Sequence, residues 1–133
     1  MKKKVFGRKL SRERTSREAL FVSLVESLVL NGKIETTKAK AKSIVGLVDR
    51  LVVLAKKDTL SSKREILKKL RGNKDIATTL WTKVSKKFSD RVSGFTRIIN
   101  LPERKGDLAK MVRMEWVEST KENNTEKKEE IKK

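Results

Sequence analysis

The sequence has no cysteine and no histidine. Without cysteine there is no disulfide framework and no thiolate zinc site. Without histidine the commonest general base and the commonest metal ligand are both missing. Neither a Ser/His/Asp nor a Cys/His arrangement can be assembled. Carboxylates do not fill the gap: Asp49, Asp58, Asp75, Asp90 and Asp107 are scattered, where a two-metal site needs a cluster. Glu115 shares its strand face with Arg113 and Val117, which suits an ion pair better than a general base. Gly46 and Gly72 stand alone, so no glycine-rich loop cradles a phosphate. These absences argue against an enzyme and against any cofactor, metal or small-molecule substrate. No apolar run approaches the ~18 residues of a membrane span. The apolar stretch from Ala19 to Leu30 is broken by Ser23, Glu26 and Ser27, so it is no signal-peptide core. A soluble intracellular chain with no membrane partner is expected.

Aromatic residues are also few: Phe6, Phe21, Phe88, Phe95, Trp81 and Trp116. Phe21, Phe88 and Trp116 fall on apolar stripes and belong to a core; Trp81 and Phe95 can be placed either way. The paired aromatics of an RNA-recognition strand are missing, so base stacking of that kind is not supported.

Positive charge is abundant. The 133 residues hold 35 Lys+Arg against 17 Asp+Glu, a formal net charge of +18. A small body with that charge repels itself until anions gather on it. Nucleic acid is the most abundant polyanion available. The charge is densest in the first seventeen residues, where Lys2, Lys3, Lys4, Arg8, Lys9, Arg12, Arg14 and Arg17 face one acid, Glu13. Val5, Phe6 and Leu10 are too few to offset the entropy of ordering, roughly 1–2 kcal/mol per residue for backbone alone. Such a segment stays extended when free and orders as phosphates release their counterions to it.

The body follows. Thr15-Ser16-Arg17-Glu18 has capping-box spacing, and Leu20, Phe21, Leu24, Val25 and Leu28 repeat on one helical face. Asn31-Gly32 ends that helix. Lys33–Thr36 reads as a short strand. Thr37 then caps a helix to about Lys57, with Ile44, Val48, Leu51 and Ala55 in one stripe flanked by Val45, Leu47 and Val52; this predicts the most buried helix. Lys38, Lys40 and Lys42 crowd its N-terminus, where the helix dipole disfavours cations. They either point to water or answer to an anion outside the domain. Ser62-Lys63-Arg64-Glu65 predicts a second capping box, and Asp75 the cap of a fourth helix carrying Ile76, Ala77, Leu80, Val84 and Phe88 inward. Eight basic residues between Lys56 and Lys74 make a second patch, with Lys63 and Arg64 as candidate RNA contacts. Residues 95–101 and 108–118 read as two strands of a hairpin joined by a six-residue basic loop, 102–107, that holds Arg104 and Lys105. After Glu118 the chain reads STKENNTEKKEEIKK, a disordered composition.

The predicted fold class is α+β: one small two-layer domain of helix, strand, three helices and β-hairpin. Residues 1–14 form a basic arm, 15–118 the body and 119–133 a disordered tail. Binding goes mainly to phosphates and shape, through Lys and Arg.

Several motifs then resemble one family. Gly7-Arg8-Lys9-Leu10, Arg17-Glu18-Ala19-Leu20, and Gly32-Lys33-Ile34-Glu35-Thr36-Thr37 with Lys38-Ala39-Lys40-Ala41-Lys42 are similar to the seventeenth large-subunit ribosomal protein of bacteria. So are Leu54-Ala55-Lys56, Arg91, Gly94-Phe95-Thr96-Arg97-Ile98 and Arg104-Lys105-Gly106-Asp107 followed by Ala109 and Met111. The resemblance runs in one register from about residue 1 to 118. It implies a structural component of the large subunit, cytoplasmic within the ribosome. Large-subunit ribosomal RNA and neighbouring large-subunit proteins would be its partners, near the exit of the peptide tunnel. It also implies that residues 2–17, Lys38, Lys40 and Lys42, and Arg91, Arg97, Arg104 and Lys105 face RNA. The rival readings are a free nucleoid-type DNA-binding protein and a membrane-surface protein. The hairpin loop predicted here is short for embracing a duplex and has no apolar wedge beside Pro102. Every apolar stripe is needed for the core, which leaves none for lipid.

Overall fold

The computed structural model describes residues 7–117. Lys2, Lys3 and Lys4, and the tail from residue 119, lie outside the described residues. Helix α1 (Arg14–Asn31) runs into strand β1 (Lys33–Thr37), then helix α2 (Lys38–Lys57) and helix α3 (Leu60–Lys69). A composite helix α4 spans residues 74–87, followed by strands β2 (Thr96–Asn100) and β3 (Met111–Trp116). This is the α+β order expected, with four helices and one antiparallel sheet among the described residues.

The sheet order is β1-β3-β2, so the last strand lies in the middle. Ile34 pairs with Met114 and Thr36 with Val112 on one side; Ile98 pairs with Met114 and Thr96 with Trp116 on the other. The period of two puts Ile34, Val112, Met114 and Trp116 on the inner face, and all four are buried. Lys33, Glu35, Arg97, Arg113 and Glu115 take the outer face. There Arg113 pairs with Glu35 at 2.9 Å, and the Arg97 Nε donates to Glu115 at 2.7 Å.

Helix α2 packs against the other three helices and all three strands. Ala41, Ile44, Val48, Leu51, Val52 and Ala55 are buried along it, as its wide stripe predicts. On α1 the buried set is Val22, Val25, Leu28 and Val29. Leu20, Phe21 and Leu24 are only half-buried, so the inward face is turned from the one expected. Phe88 and Phe95 close the core at 5.2 Å edge to face, with Trp116 at 5.7 Å from Phe88. Phe95 is therefore core, and Trp81 is half-buried.

Three caps differ from the sequence expectation. Helix α1 starts one residue before Thr15, on Glu13, with no side-chain cap; an Arg14–Glu18 pair at 2.9 Å serves its first turn instead. Helix α3 is capped by Thr59 rather than Ser62. The two form a reciprocal box, the Ser62 N–H donating to Thr59 Oγ1 at 3.2 Å and the Thr59 N–H to Ser62 Oγ at 3.1 Å. Asn73, not Asp75, caps α4: its side chain accepts from the Ile76 N–H at 3.3 Å and donates to Glu26 on α1 at 2.8 Å. A hydroxyl or amide two or three residues earlier does the same chemistry as the predicted residue, so spacing alone does not separate them.

Helix α4 contains a π turn, Leu80–Val84. Its inward residues Leu80, Val84 and Phe88 recur every four positions. On an α-helix each such step drifts by about 40°, and the wider π turn takes up that drift. All three stay buried.

The β2–β3 connection is longer than expected. Strand β3 begins at Met111 rather than Leu108, so the loop covers residues 101–110 instead of 102–107. Leu108 has φ +51°, which no strand accommodates. The loop is bonded to itself: Leu101 N–H to Met111 O at 3.0 Å, Arg104 N–H to Ala109 O at 3.0 Å, and Leu108 N–H to Arg104 O at 3.0 Å. It exposes an apolar residue, Leu108, so the loop does carry an apolar group, several residues after Pro102.

Candidate nucleic-acid interface

The strongest cationic site is the corner where β1 turns into α2. Thr37 occupies the cap position of α2 but its side chain makes no cap bond. The first helical amide is held from outside: the Lys38 N–H donates to Lys110 O at 2.9 Å. That bond brings the end of the 101–110 loop against the helix start. Arg8 arrives from the arm. Arg8, Lys38, Lys42 and Lys110, with Thr37 and Ala39, line one cavity of about 390 Å³. No acid lines it.

The described part of the arm is turned rather than extended. Leu10 and Ser11 both have positive φ, at +54° and +50°. The Arg12 N–H donates to Lys9 O at 3.2 Å, and Arg17 reaches back to Arg12 O at 3.1 Å. Gly7 and Arg8 thereby lie beside α2, bordering a second groove with Phe21, Lys42, Gly46 and Arg50. Positions 38, 42, 46 and 50 share one face of the helix. Gly46 has open space around it, which leaves room over the helix between Lys42 and Arg50.

The corner is electrostatically unfavourable for the free protein. Lys38 and Lys42 are a like-charge i,i+4 pair, disfavoured by a few tenths of a kcal/mol. They also sit at the positive end of the α2 dipole. A phosphate-bearing ligand removes both costs.

The other predicted cations divide by whether they already hold an acid. Lys40 lies off the corner face and lines neither groove. Lys9, Arg12, Lys40, Arg64, Arg91 and Lys105 have no ion pair among the described residues. Arg14, Lys63, Arg97 and Arg104 are each paired with an acid. Lys63 binds Asp58 at 2.7 Å and lies 5.8 Å over the Trp81 ring. The second basic patch is thus partly neutralised, with Lys69 against Glu65 at 3.5 Å as well. Lys56 in that patch turns inward, its Nζ donating to Arg91 O at 2.6 Å over the Phe95 ring.

Arg104 forms a fork on Asp107, Nε to Oδ1 at 3.0 Å and Nη2 to Oδ2 at 2.6 Å. The Ala109 N–H also donates to Asp107, at 3.3 Å. The Arg104 hydrogen bonds, and then that amide, hold the Asp107 carboxyl down to about 2. The same bond and charge raise the Arg104 guanidinium above its ordinary value.

Two cations of this surface, Arg50 and Lys110, were not expected. Arg50 was legible: it follows Lys42 and Gly46 at spacings of four. Lys110 was not, because only the loop's return brings it to the corner. Among the described residues no group of acids could hold a metal ion. No described helix is long and apolar enough to cross a membrane.

A sequence model described as ribosomal protein L17 matches residues 20–117. The chain belongs to the ribosomal protein L17 family. This is a family of structural ribosomal proteins, not of enzymes. The large ribosomal subunit protein bL17 of Sulfurihydrogenibium sp. (strain YO3AOP1) is 42% identical over 119 residues, covering 89% of this chain and 98% of its own. That of Finegoldia magna is 41% identical over 125 residues, covering 94% and 95%. The L17 match takes in Lys38, Lys42, Arg50 and Lys110 of the corner. It begins after Arg8, which reaches the corner from outside the matched segment.

Proposed function

We propose that this protein is a structural component of the large ribosomal subunit, within the ribosome of the cytoplasm, and that it binds large-subunit ribosomal RNA. It performs no catalysis. The acid-free corner of Arg8, Lys38, Lys42 and Lys110 carries this reading. Four cations converge there from the arm, α2 and the β2–β3 loop, three parts of the chain far apart in sequence. Lys2, Lys3 and Lys4, before Gly7 in sequence, add positive charge to the arm. Arg64, Arg91 and Lys105 add dispersed phosphate contacts. Lys40, Lys63, Arg97 and Arg104 are further candidates, the last three after exchange of an intramolecular acid for phosphate. Its place is near the peptide exit, beside other large-subunit proteins, a reading that membership of a large-subunit protein family supports.

The test is binding to in vitro transcribed large-subunit ribosomal RNA across a KCl series. Replacing Arg8, Lys38, Lys42 and Lys110 with Ala should weaken binding and flatten the slope of log K against log[KCl] by about three to four units. Unchanged affinity and slope would remove the corner from the interface. Equal affinity for random duplex DNA would favour a free DNA-binding role instead.

A further inference from the structure

We infer that Leu108 is an apolar anchor that packs on an unstacked RNA base when the corner binds. The inference rests on the RNA-binding reading above and adds a contact that charge does not supply.

Leu108 is 70% exposed, so its side chain does little for the fold. A lone exposed leucine needs no explanation on a protein surface. This one is held in the left-handed backbone region, at φ +51°. Gly, Asn and Asp enter that region readily; a leucine there is strained. The strain is not relaxed by loop motion, because the loop is fixed around it. Arg104 accepts the Leu108 N–H at its carbonyl, and its own N–H donates to Ala109 O. The Arg104 side chain grips Asp107 by both nitrogens, and Asp107 accepts from the Ala109 N–H. Every bond encloses position 108 and none uses its side chain. The result is a stiff tip that presents one apolar group at a fixed angle. Strained, over-determined backbone of this kind is characteristic of binding sites.

The surroundings select the occupant. Lys105 precedes the tip. Lys110 follows it and belongs to the cationic corner, bonded through its carbonyl to Lys38. Asp107 is internally neutralised by Arg104. An apolar group with a cation close on either side in the chain fits an unstacked base between two phosphates. It fits an apolar pocket on another protein less well, since the flanking lysines would lose solvent without gaining counter-charges.

The test compares wild type, Leu108→Asn and Leu108→Met, as full chains, on the same large-subunit RNA transcript. Asn suits a left-handed backbone, so Leu108→Asn should melt higher than wild type by about 3 °C. It should nonetheless bind RNA about five- to tenfold more weakly, the value of part of a leucine side chain removed from water. The KCl slope should not change, because no phosphate contact is lost. Leu108→Met should bind within about twofold of wild type. Unchanged affinity in Leu108→Asn overturns the proposal. So does a loss matched by a flatter slope, which would mean displaced lysines. If Leu108→Asn binds RNA normally but enters reconstituted large subunits poorly, the leucine seats on a protein and the RNA assignment is wrong. Failure of the RNA-binding reading itself would look different: wild type would then show no preference for the transcript over duplex DNA.

Discussion

The indole Nε1 of Trp116 donates to the backbone carbonyl of Leu28 at 3.2 Å across 88 residues of sequence. The same carbonyl accepts from the Gly32 N–H at 2.9 Å, where Gly32 turns left-handed to end α1. One oxygen thus fastens the last strand to the end of the first helix. Trp116→Phe keeps most of the ring but removes the donor. Because Gly32 still satisfies the carbonyl, the expected cost is about 1 kcal/mol in urea unfolding. Trp116→Ala should cost about 3–5 kcal/mol, since Phe88 then faces a void.

The corner lysines should stabilise binding and destabilise the free fold. Lys38→Ala or Lys42→Ala should raise the stability of the isolated protein by about 0.3–0.5 kcal/mol. Each should also reduce the salt slope for RNA by about one unit. Thermal melts and filter binding on the same preparations give the two signs. A lysine whose removal lowers both stability and affinity holds the fold together instead.

The Arg104–Asp107 fork makes the loop sensitive to strong acid. Asp107 titrates at about 2 in the fold, below its ordinary 3.8. A depressed carboxyl supports the folded loop above the ordinary value, and that support is lost as pH falls through about 2. The Ala109 amide resonance should follow this titration by NMR. Arg104→Ala should move the midpoint back toward the ordinary carboxylate value, and Asp107→Asn should abolish it. Both partners are fully exposed, so global stability should change little over the same range.

The π turn in α4 predicts an asymmetry between deletions. Removing exposed Thr82 brings the inward residues to steps of four, three and four, which an ordinary α-helix satisfies. That variant should fold, with stability within about 1 kcal/mol of wild type. Removing exposed Val53 from α2 would instead rotate the last turn of that helix by about 100° and turn Ala55 away from the core. Urea unfolding followed by circular dichroism should show the second variant less stable than the first.

Much of the fold was legible because apolar spacing is long-range and redundant. The α2 stripe at Ile44, Val48, Leu51 and Ala55 and the β3 alternation at Val112, Met114 and Trp116 both survive into the core. Caps were less legible because Thr59, Ser62, Asn73 and Asp75 all have suitable side chains, and geometry chooses among them. The loop length is hidden at Leu108, where a strand-like apolar residue sits in a left-handed conformation. The cations were legible as a population and not as a site. Lys63, Arg97 and Arg104 look like Lys38 in sequence, and only the structure shows which of them already hold an acid.

The central position of β3 orders events during synthesis. Strands β1 and β2 each pair with β3 and not with each other. No sheet can close until residues 111–116 leave the exit tunnel, seconds after β1 at about 5–20 residues per second. Helices α1 and α2 and the arm appear first, with an uncovered apolar face and most of the positive corner already exposed. Lys110, the corner's last cation, is supplied only when β3 inserts. A polyanion that captures the nascent arm and α2 therefore meets an incomplete site, and its grip tightens at the moment the sheet forms.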